Sequence, residues 1–234
     1  MIAVVAALAW LVAGQRNDLR TFDPKQVARL EQEMWRSYYE HRRLALFGQL
    51  FSLLREQYGL SPMRACVTAA HAARAAVVFQ RGRNRQDYEL ALGDLRAYYR
   101  GVLDRGEDID RASRLELEWW IVHRERDRYS SADLERSLAE LQSAIYKLPP
   151  ASFAEHARWR AEAMHACDRA VNPTAAEWFA IRAQLERSWT ALWNELHSVR
   201  KVDVSEHLRP VRVVDSVSIP RPGRMRVDLL ASGV

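Results

Sequence analysis

The chain has 234 residues, of which 48% are hydrophobic and 28% are charged, so it is long enough to bury a core and too apolar for an intrinsically disordered protein. Nine glycines, against abundant alanine, leucine, glutamate and arginine, favour helices over sheets. The formal net charge of +5 comes from a slight excess of arginine, which does not indicate nucleic acid as a partner. We therefore expect an all-α globular protein.

Residues 1–14, MIAVVAALAWLVAG, form an uncharged apolar segment. As a helix it would measure roughly 21 Å, which is shorter than the roughly 30 Å hydrocarbon core of a bilayer. We expect an N-terminal membrane anchor, with the body of the protein on the cytoplasmic side because the nearby cations follow the segment. One alternative is a signal peptide cleaved near Gly14, where the residues are small, and another is a longer anchor truncated by a misassigned start.

The hydrophobic periodicity predicts a single bundle domain of about seven helices between residues 23 and 200. The first would begin at Pro24 behind an Asp23 cap and run unbroken to Tyr58, ahead of Gly59. Its second half, residues 44–54, is uncharged on every side, which predicts a central helix covered by several neighbours.

Ser61 and Pro62 begin the second predicted helix, which Gly82 ends. A narrow alanine-rich stripe on this helix should pack closely against a neighbour. The stripe consists of Met63, Cys66, Val67, Ala70, Ala73 and Val77. We expect Cys66 and Cys167 to be small buried side chains, although one disulfide between them remains an alternative if the chain is exported.

Five further helices follow, each with an apolar stripe at helical spacing. They are predicted from residue 84 or 87 to 101, from 108 to 128, from 131 to 148, from 153 to 171 and from 173 to about 200. The clearest stripes are Leu134, Leu138, Leu141, Ile145 and Leu148 in the fifth helix, and Trp178, Ile181, Leu185, Trp189, Leu192, Leu196 and Val199 in the last. Residues 201–234, with prolines and alternating valines and arginines, predict an irregular extended tail.

The segment 115–128, LELEWWIVHRERDR, is the most site-like part of the sequence. On a helix, Glu116, Trp120, His123 and Asp127 form a polar stripe beside the apolar one. His123 is a candidate general base oriented by Glu116 or Asp127, and Trp120 is a candidate ligand-binding residue. The alternative is a half-exposed histidine that pairs along its own helix.

Glu162 and His165 have the Glu-x-x-His spacing of metal sites in helical bundles. With Glu33, Glu40, Glu116 and His123 they would form a dinuclear iron or manganese site, which resembles the ferritin-like diiron fold. That fold uses two Glu-x-x-His elements, whereas this sequence has one, and Glu162 and His165 belong to a stripe of mixed charge typical of a solvated surface. We therefore expect no metal and no other cofactor, with the dinuclear site as the alternative.

The sequence contains no Gly-rich phosphate loop, no GxSxG elbow, no HExxH motif and no EF-hand loop. We predict a membrane-associated helical module that scaffolds an assembly or binds a protein partner or a second copy of itself. The alternative is a bundle enzyme or a metal- or ligand-binding protein whose carboxylate and histidine site lies between helices. Its candidate residues are Glu33, Glu40, Glu116, Trp120 and His123.

Overall fold

The computed structural model describes residues 18–103, 108–170 and 173–207, with side chains as far as residue 198. The predicted N-terminal segment 1–14 and the part of the predicted tail from residue 208 onward lie outside these residues. The described residues are helical and contain no strand, so the prediction of an all-α bundle is confirmed.

The helices follow one another through short connections. They are α1 (Pro24–Tyr39), α2 (Arg43–Tyr58), α3 (Pro62–Arg81), α4 (Arg85–Glu89), α5 (Leu92–Val102), α6 (Ile109–Arg124), α7 (Ser131–Tyr146), α8 (Ala154–Arg169) and α9 (Ala175–His207), with a 3₁₀ turn at Pro150–Phe153 before α8. Two of the seven predicted helices are each divided in two, the first into α1 and α2 and the third into α4 and α5. α9 continues past Arg200, so residues 201–207 are helical and not part of an extended tail.

The predicted unbroken helix from Pro24 to Tyr58 is wrong because the chain turns at residues 40–42. His41 adopts a left-handed conformation with φ of 57°, and the backbone N–H of Arg42 donates to the carbonyl of Ser37. The polar run Glu40-His41-Arg42-Arg43 has no apolar side chain to bury, so these residues are most stable at the surface, where the chain can turn. α2 then packs back along α1, and it is not the central helix: its buried residues lie only in its last two turns, and Leu44 is 92% exposed.

The predicted inner stripe of α3 faces solvent. Met63, Val67 and Val77 are 56%, 52% and 45% exposed, and Cys66 is exposed as well. The buried residues are instead Ala65, Thr68, Ala69 and Ala75. α3 packs against α5 so closely that a side chain added at Gly101 would collide with Thr68. At such a distance only the smallest side chains fit between two helix backbones, so the larger apolar ones turn outward.

α9 forms the main line of the core. Its predicted inner residues, from Trp178 to Leu196, are at most 5% exposed, and α1 and α8 pack against them. α7 contributes the predicted residues Leu134 to Ile145, which are also buried, whereas Leu148 is half-buried. Ser130 and Asp133 form a complete capping box at the start of α7. The cleanest sequence periodicity therefore identifies the residues that hold the bundle together.

Candidate functional site

Glu116 of α6 directs its carboxylate into the polar interior of the bundle. One oxygen accepts a hydrogen bond of 2.8 Å from the hydroxyl of Tyr99 on α5, and the other accepts one of 2.9 Å from the indole N–H of Trp120. Part of the Glu116 residue remains accessible, but burial of the carboxyl group raises the pKa of Glu116 above its usual value. The hydrogen bond from Tyr99 and the nearby charge of Arg160 oppose that rise.

A second interior carboxylate belongs to Glu31 of α1, which is 1% exposed. Its Oε1 accepts hydrogen bonds from Nε and Nη2 of Arg160 on α8, at 3.1 and 2.7 Å. Its Oε2 accepts a hydrogen bond of 2.6 Å from the indole N–H of Trp189 on α9. The guanidinium of Arg160 also lies 5.3 Å from the centre of the Trp119 ring. Glu31 and Arg160 therefore tie together three helices that pack around the core.

Tyrosines fill the space around these charges. Burial raises the pKa values of Tyr58, Tyr98 and Tyr99 above the ordinary tyrosine value, and Glu116 raises those of Tyr98 and Tyr99 further. These hydroxyls therefore stay protonated over the range in which proteins fold. The Arg160 guanidinium bonds directly to Glu31, and its charge also acts on Glu116, whose own hydrogen bonds come from neutral donors. We call Glu31, Tyr99, Glu116, Trp120 and Arg160 the interior polar cluster.

His123, the predicted general base, is oriented by neither Glu116 nor Asp127. Its Nε2 lies 2.9 Å from Oδ2 of Asp168 on α8, and the same oxygen lies 3.1 Å from Nη1 of Arg126. The hydroxyl of Tyr39 donates to the other oxygen at 3.3 Å. Burial alone would raise the pKa of Asp168, but His123 and Arg126 hold it below the usual value. The histidine thus pairs across helices, and the prediction of a partner on its own helix is wrong.

The remaining candidates lie at the surface with partners of their own. Glu33 pairs with Arg29 at 2.6 Å, and Glu40 pairs with Arg36 and Arg42 at 2.7 and 2.8 Å. Glu162 pairs with Arg158 on one side of α8.

His165, one turn after Glu162, lies 3.2 Å from the hydroxyl of Ser131. Of the predicted site residues, Glu116 and Trp120 are therefore hydrogen-bonded to each other, whereas the other five each pair with a residue outside the predicted set. Within the described part of the chain, no group of three histidine, cysteine or acidic side chains is placed to hold a metal ion.

Glu31, Arg160 and Asp168 are the residues that the sequence reasoning missed. Glu31 follows Val27 and Ala28 at helical spacing, so it occupies a core position of α1. Arg160 likewise stands between Ala157 and Met164 on the buried face of α8. In both cases the sequence has a charged residue inside an apolar stripe, and this pattern predicts a buried side chain with a bonded partner. Asp168 follows Met164 by four residues on the same side of α8, so its position carries the same signal, although its partner His123 lies 45 residues away.

Packing inside the bundle does not explain the exposed apolar residues of α3. One side of this helix consists of exposed residues, namely Met63, Cys66, Val67, Ala70, Arg74, Val77 and Arg81. We call this surface the α3 face. α3 contains no acidic residue. The carboxylate of Asp94 on α5 lies 2.9 Å from Nδ1 of His71 and 3.4 Å from Nε of Arg74.

No protein-family model matches the chain, and comparisons with curated proteins and with solved structures find no match. Among the described helices, none combines the length and the apolar character needed to cross a bilayer. The fold and its sites therefore define an all-helical bundle with a bonded polar interior and an apolar, basic outer face on α3.

Proposed function

We propose that this protein is a non-catalytic, membrane-associated helical module that rests on an anionic membrane surface through the α3 face. One observation carries the proposal: Met63, Val67 and Val77 are about half exposed in a row that also contains Arg74 and Arg81 and no acid. Apolar side chains beside arginines are the composition of helices that lie in the interface of a membrane. The arginines attract anionic headgroups while the apolar side chains enter the outer acyl region.

A protein partner fits the α3 face less well. Three medium-sized side chains, each about half exposed, provide far less area than the roughly 800 Å² that each partner buries in a standard interface. The residues of the face itself include arginines and no acid, and the neighbouring Asp94 of α5 already pairs with Arg74, so a second copy placed against the face would bring arginines together. A flat anionic surface satisfies both properties.

Residues 1–14 would supply the second attachment. A few apolar side chains and two arginines give weak, reversible membrane binding, and stable attachment ordinarily needs two such signals. The apolar sequence from Met1 to Gly14 is suited to that role, and the basic residues Arg16 and Arg20 follow it.

The interior polar cluster supports a structural and not a catalytic role for Glu116. Both of its oxygens accept hydrogen bonds from the protein's own Tyr99 and Trp120, and Glu31 is likewise bonded to Arg160 and Trp189. A general base must also lie within hydrogen-bond reach of a substrate, and the partners observed for these oxygens are the protein's own side chains. We infer that these carboxylates mainly join helices to one another.

Flotation with lipid vesicles tests the proposal with the full chain. Each arginine near an anionic surface contributes about 1 kcal/mol, so replacing Arg74 and Arg81 by glutamate should weaken binding to vesicles containing phosphatidylserine by at least roughly 30-fold. The control replaces Arg128 and Arg136, which are 76% and 64% exposed, by glutamate and so changes the net charge equally. Equal loss in both variants, or no preference of the wild type for anionic over neutral vesicles, would contradict the role of the α3 face.

Attachment through residues 1–14 is tested separately. Replacing Leu8 and Leu11 by glutamate should release the full chain from neutral vesicles, on which the arginines have no anionic lipid to bind. If the wild-type protein floats with neither type of vesicle, the membrane proposal as a whole is wrong.

The pair of His123 and Asp168 favours a second candidate, a ligand-binding bundle whose carboxylate and histidine site lies between α6 and α8. The imidazole is 24% exposed, so it remains reachable from solvent. Stoichiometric iron, manganese or zinc in the purified protein, lost on replacing His123 by alanine, would favour this candidate. Purified protein without metal would count against a dinuclear centre.

A further inference from the structure

One side of α2 is covered by the bundle along its second half and uncovered along its first. Leu54 and Tyr58 are 1% and 6% exposed. Earlier on the same side, Leu44 is 92% exposed, and Phe47 and Phe51 are half-buried, with part of each ring packed against the core. We call Leu44, Phe47 and Phe51 the α2 face.

Packing against α1 does not cover the α2 face. The side chain of Gln49 lies against Glu33 and Ser37 of α1, and residues two positions apart on a helix point about 160° away from each other. Phe47 and Phe51 therefore point away from α1. Residues 44–54 carry no charge, so an uncharged apolar segment can cover the α2 face without burying a charge that lacks a partner.

The described chain begins beside the end of α2. α1 and α2 are antiparallel neighbours joined at residues 40–42, so the start of α1 lies close to the end of α2. The electrostatic neighbours of Tyr146 agree with this arrangement: burial raises its pKa, and Gln57 of α2, Asp18 and Arg20 all act on it as well. The chain that precedes Asp18 therefore leaves the bundle near the last turn of α2.

Residues 1–14 have the length needed to extend along α2. The stretch of α2 from Leu44 to Gln57 measures roughly 20 Å along the helix axis, and a helix of residues 1–14 would measure roughly 21 Å. Residues 15–17, which connect this segment to the described chain, can span at most roughly 14 Å. The segment is also uncharged and apolar. It therefore matches the α2 face in length, in position and in chemistry.

We propose that, in the absence of lipid, residues 1–14 fold back onto the bundle and cover the α2 face. The short connection raises the effective concentration of the segment at this face. A second copy of the chain would have to lose translational and rotational freedom to bind there, so the connected segment has the advantage. Because this contact forms without lipid, it does not depend on the proposed membrane attachment.

Disulfide formation between introduced cysteines tests the contact in the full chain without lipid. In a Cys66→Ser background, in which the remaining Cys167 is buried, Ala3→Cys and Leu44→Cys should form an intramolecular disulfide under mild oxidation. These two positions lie at matching ends of the segment and the face, because both are remote from the connection. The control combines Ala3→Cys with Leu90→Cys, since Leu90 is 72% exposed but lies between α4 and α5. On non-reducing gels the first pair should close at least roughly 10-fold faster than the control pair.

Equal rates for the two pairs would show that the segment does not prefer the α2 face and would overturn the proposal. Disulfides that join two chains, at a rate that rises with protein concentration, would instead assign the face to a second copy. Replacing Leu8 and Leu11 by glutamate should slow the first pair to the rate of the control, and an unchanged rate would contradict an apolar contact. Leu44 and Leu90 are exposed, so the reduced variants should keep the urea midpoint of the parent chain and thereby show that they are folded.

Discussion

Replacing Arg160 by methionine tests whether the interior polar cluster holds the bundle together. Methionine keeps much of the length of the side chain but leaves the Glu31 carboxylate, which is 1% exposed, without its cationic partner. Removing one member of a buried ion pair ordinarily costs about 3–5 kcal/mol. Because the Arg160 side chain is 13% exposed, some water can reach the site, and we expect a loss near the lower limit, about 3 kcal/mol.

A double-mutant cycle separates the pair from the rest of the cluster. The Glu31→Gln/Arg160→Met variant removes both members of the buried ion pair, Glu116 keeps its hydrogen bonds from Tyr99 and Trp120, and the glutamine carbonyl can still accept from the indole of Trp189. We therefore expect the double variant to be more stable than Arg160→Met alone.

Urea denaturation measures both effects. With an m-value of about 2–3 kcal/mol/M, Arg160→Met should lower the midpoint by about 1 M urea, and adding Glu31→Gln should recover part of that loss. A midpoint unchanged by Arg160→Met, or a double variant less stable than Arg160→Met, would refute the reasoning that Arg160 compensates a buried charge.

Three further predictions follow from single positions. Burial raises the pKa of Glu116. The stability that this group contributes is therefore present below the unfolded-state pKa of about 4.3, and it is lost as the pH rises through the folded-state pKa. Glu116→Gln should remove this pH-dependent component from the urea midpoints measured between pH 4 and 8. Cys66 is exposed whereas Cys167 is buried, which raises the pKa of the Cys167 thiol to about 12, so a thiol reagent at pH 8 should label one cysteine of the native chain and both after unfolding. Replacing Gly101 by alanine should destabilise the chain by about 1–3 kcal/mol. The same change at Gly48, where a side chain would meet open space, should stabilise it by about 0.5–1 kcal/mol. Similar urea midpoints for the two variants would contradict the close approach of α3 to α5.

The helices α7 and α9 could be predicted from the sequence because their inner and outer residues differ strongly. Leucine, isoleucine and tryptophan recur at helical spacing, with charged residues between them, so only one face of each helix can be buried. Here the local pattern contains nearly all the information that the fold uses.

The orientation of α3 could not be predicted in the same way. Alanine occurs on every side of this helix, so more than one face satisfies the requirement for apolar contact. The face that is buried depends on Gly101 of α5, whose missing side chain allows the close approach of Thr68. That information lies outside α3, and larger apolar residues were wrongly expected to be the inner ones.

For the candidate site, too, the sequence predicts which residues are buried but not which residues pair. That Glu116 lies in the interior is consistent with its place on a helix with two tryptophans, and Glu31 and Arg160 were visible as charges inside apolar stripes. Which charge pairs with which is a different matter, because Glu31 and Arg160 are 129 residues apart in the chain. Helical periodicity assigns a residue to a face, and only the packing of helices assigns it a partner.

The burial of small residues on α3 and the exposure of its larger ones have a common origin. Close packing against α5 requires the small residues to face inward, but it places no requirement on the outer side, where polar residues would be equally compatible with the bundle. Methionine and valine exposed beside arginines are therefore not needed for folding, and exposed apolar groups carry a risk of aggregation. Our proposal that this surface contacts something outside the bundle accounts for a feature that stability and solubility leave unexplained. The absence of acidic residues from α3 itself supports our proposal that this face rests on an anionic membrane surface.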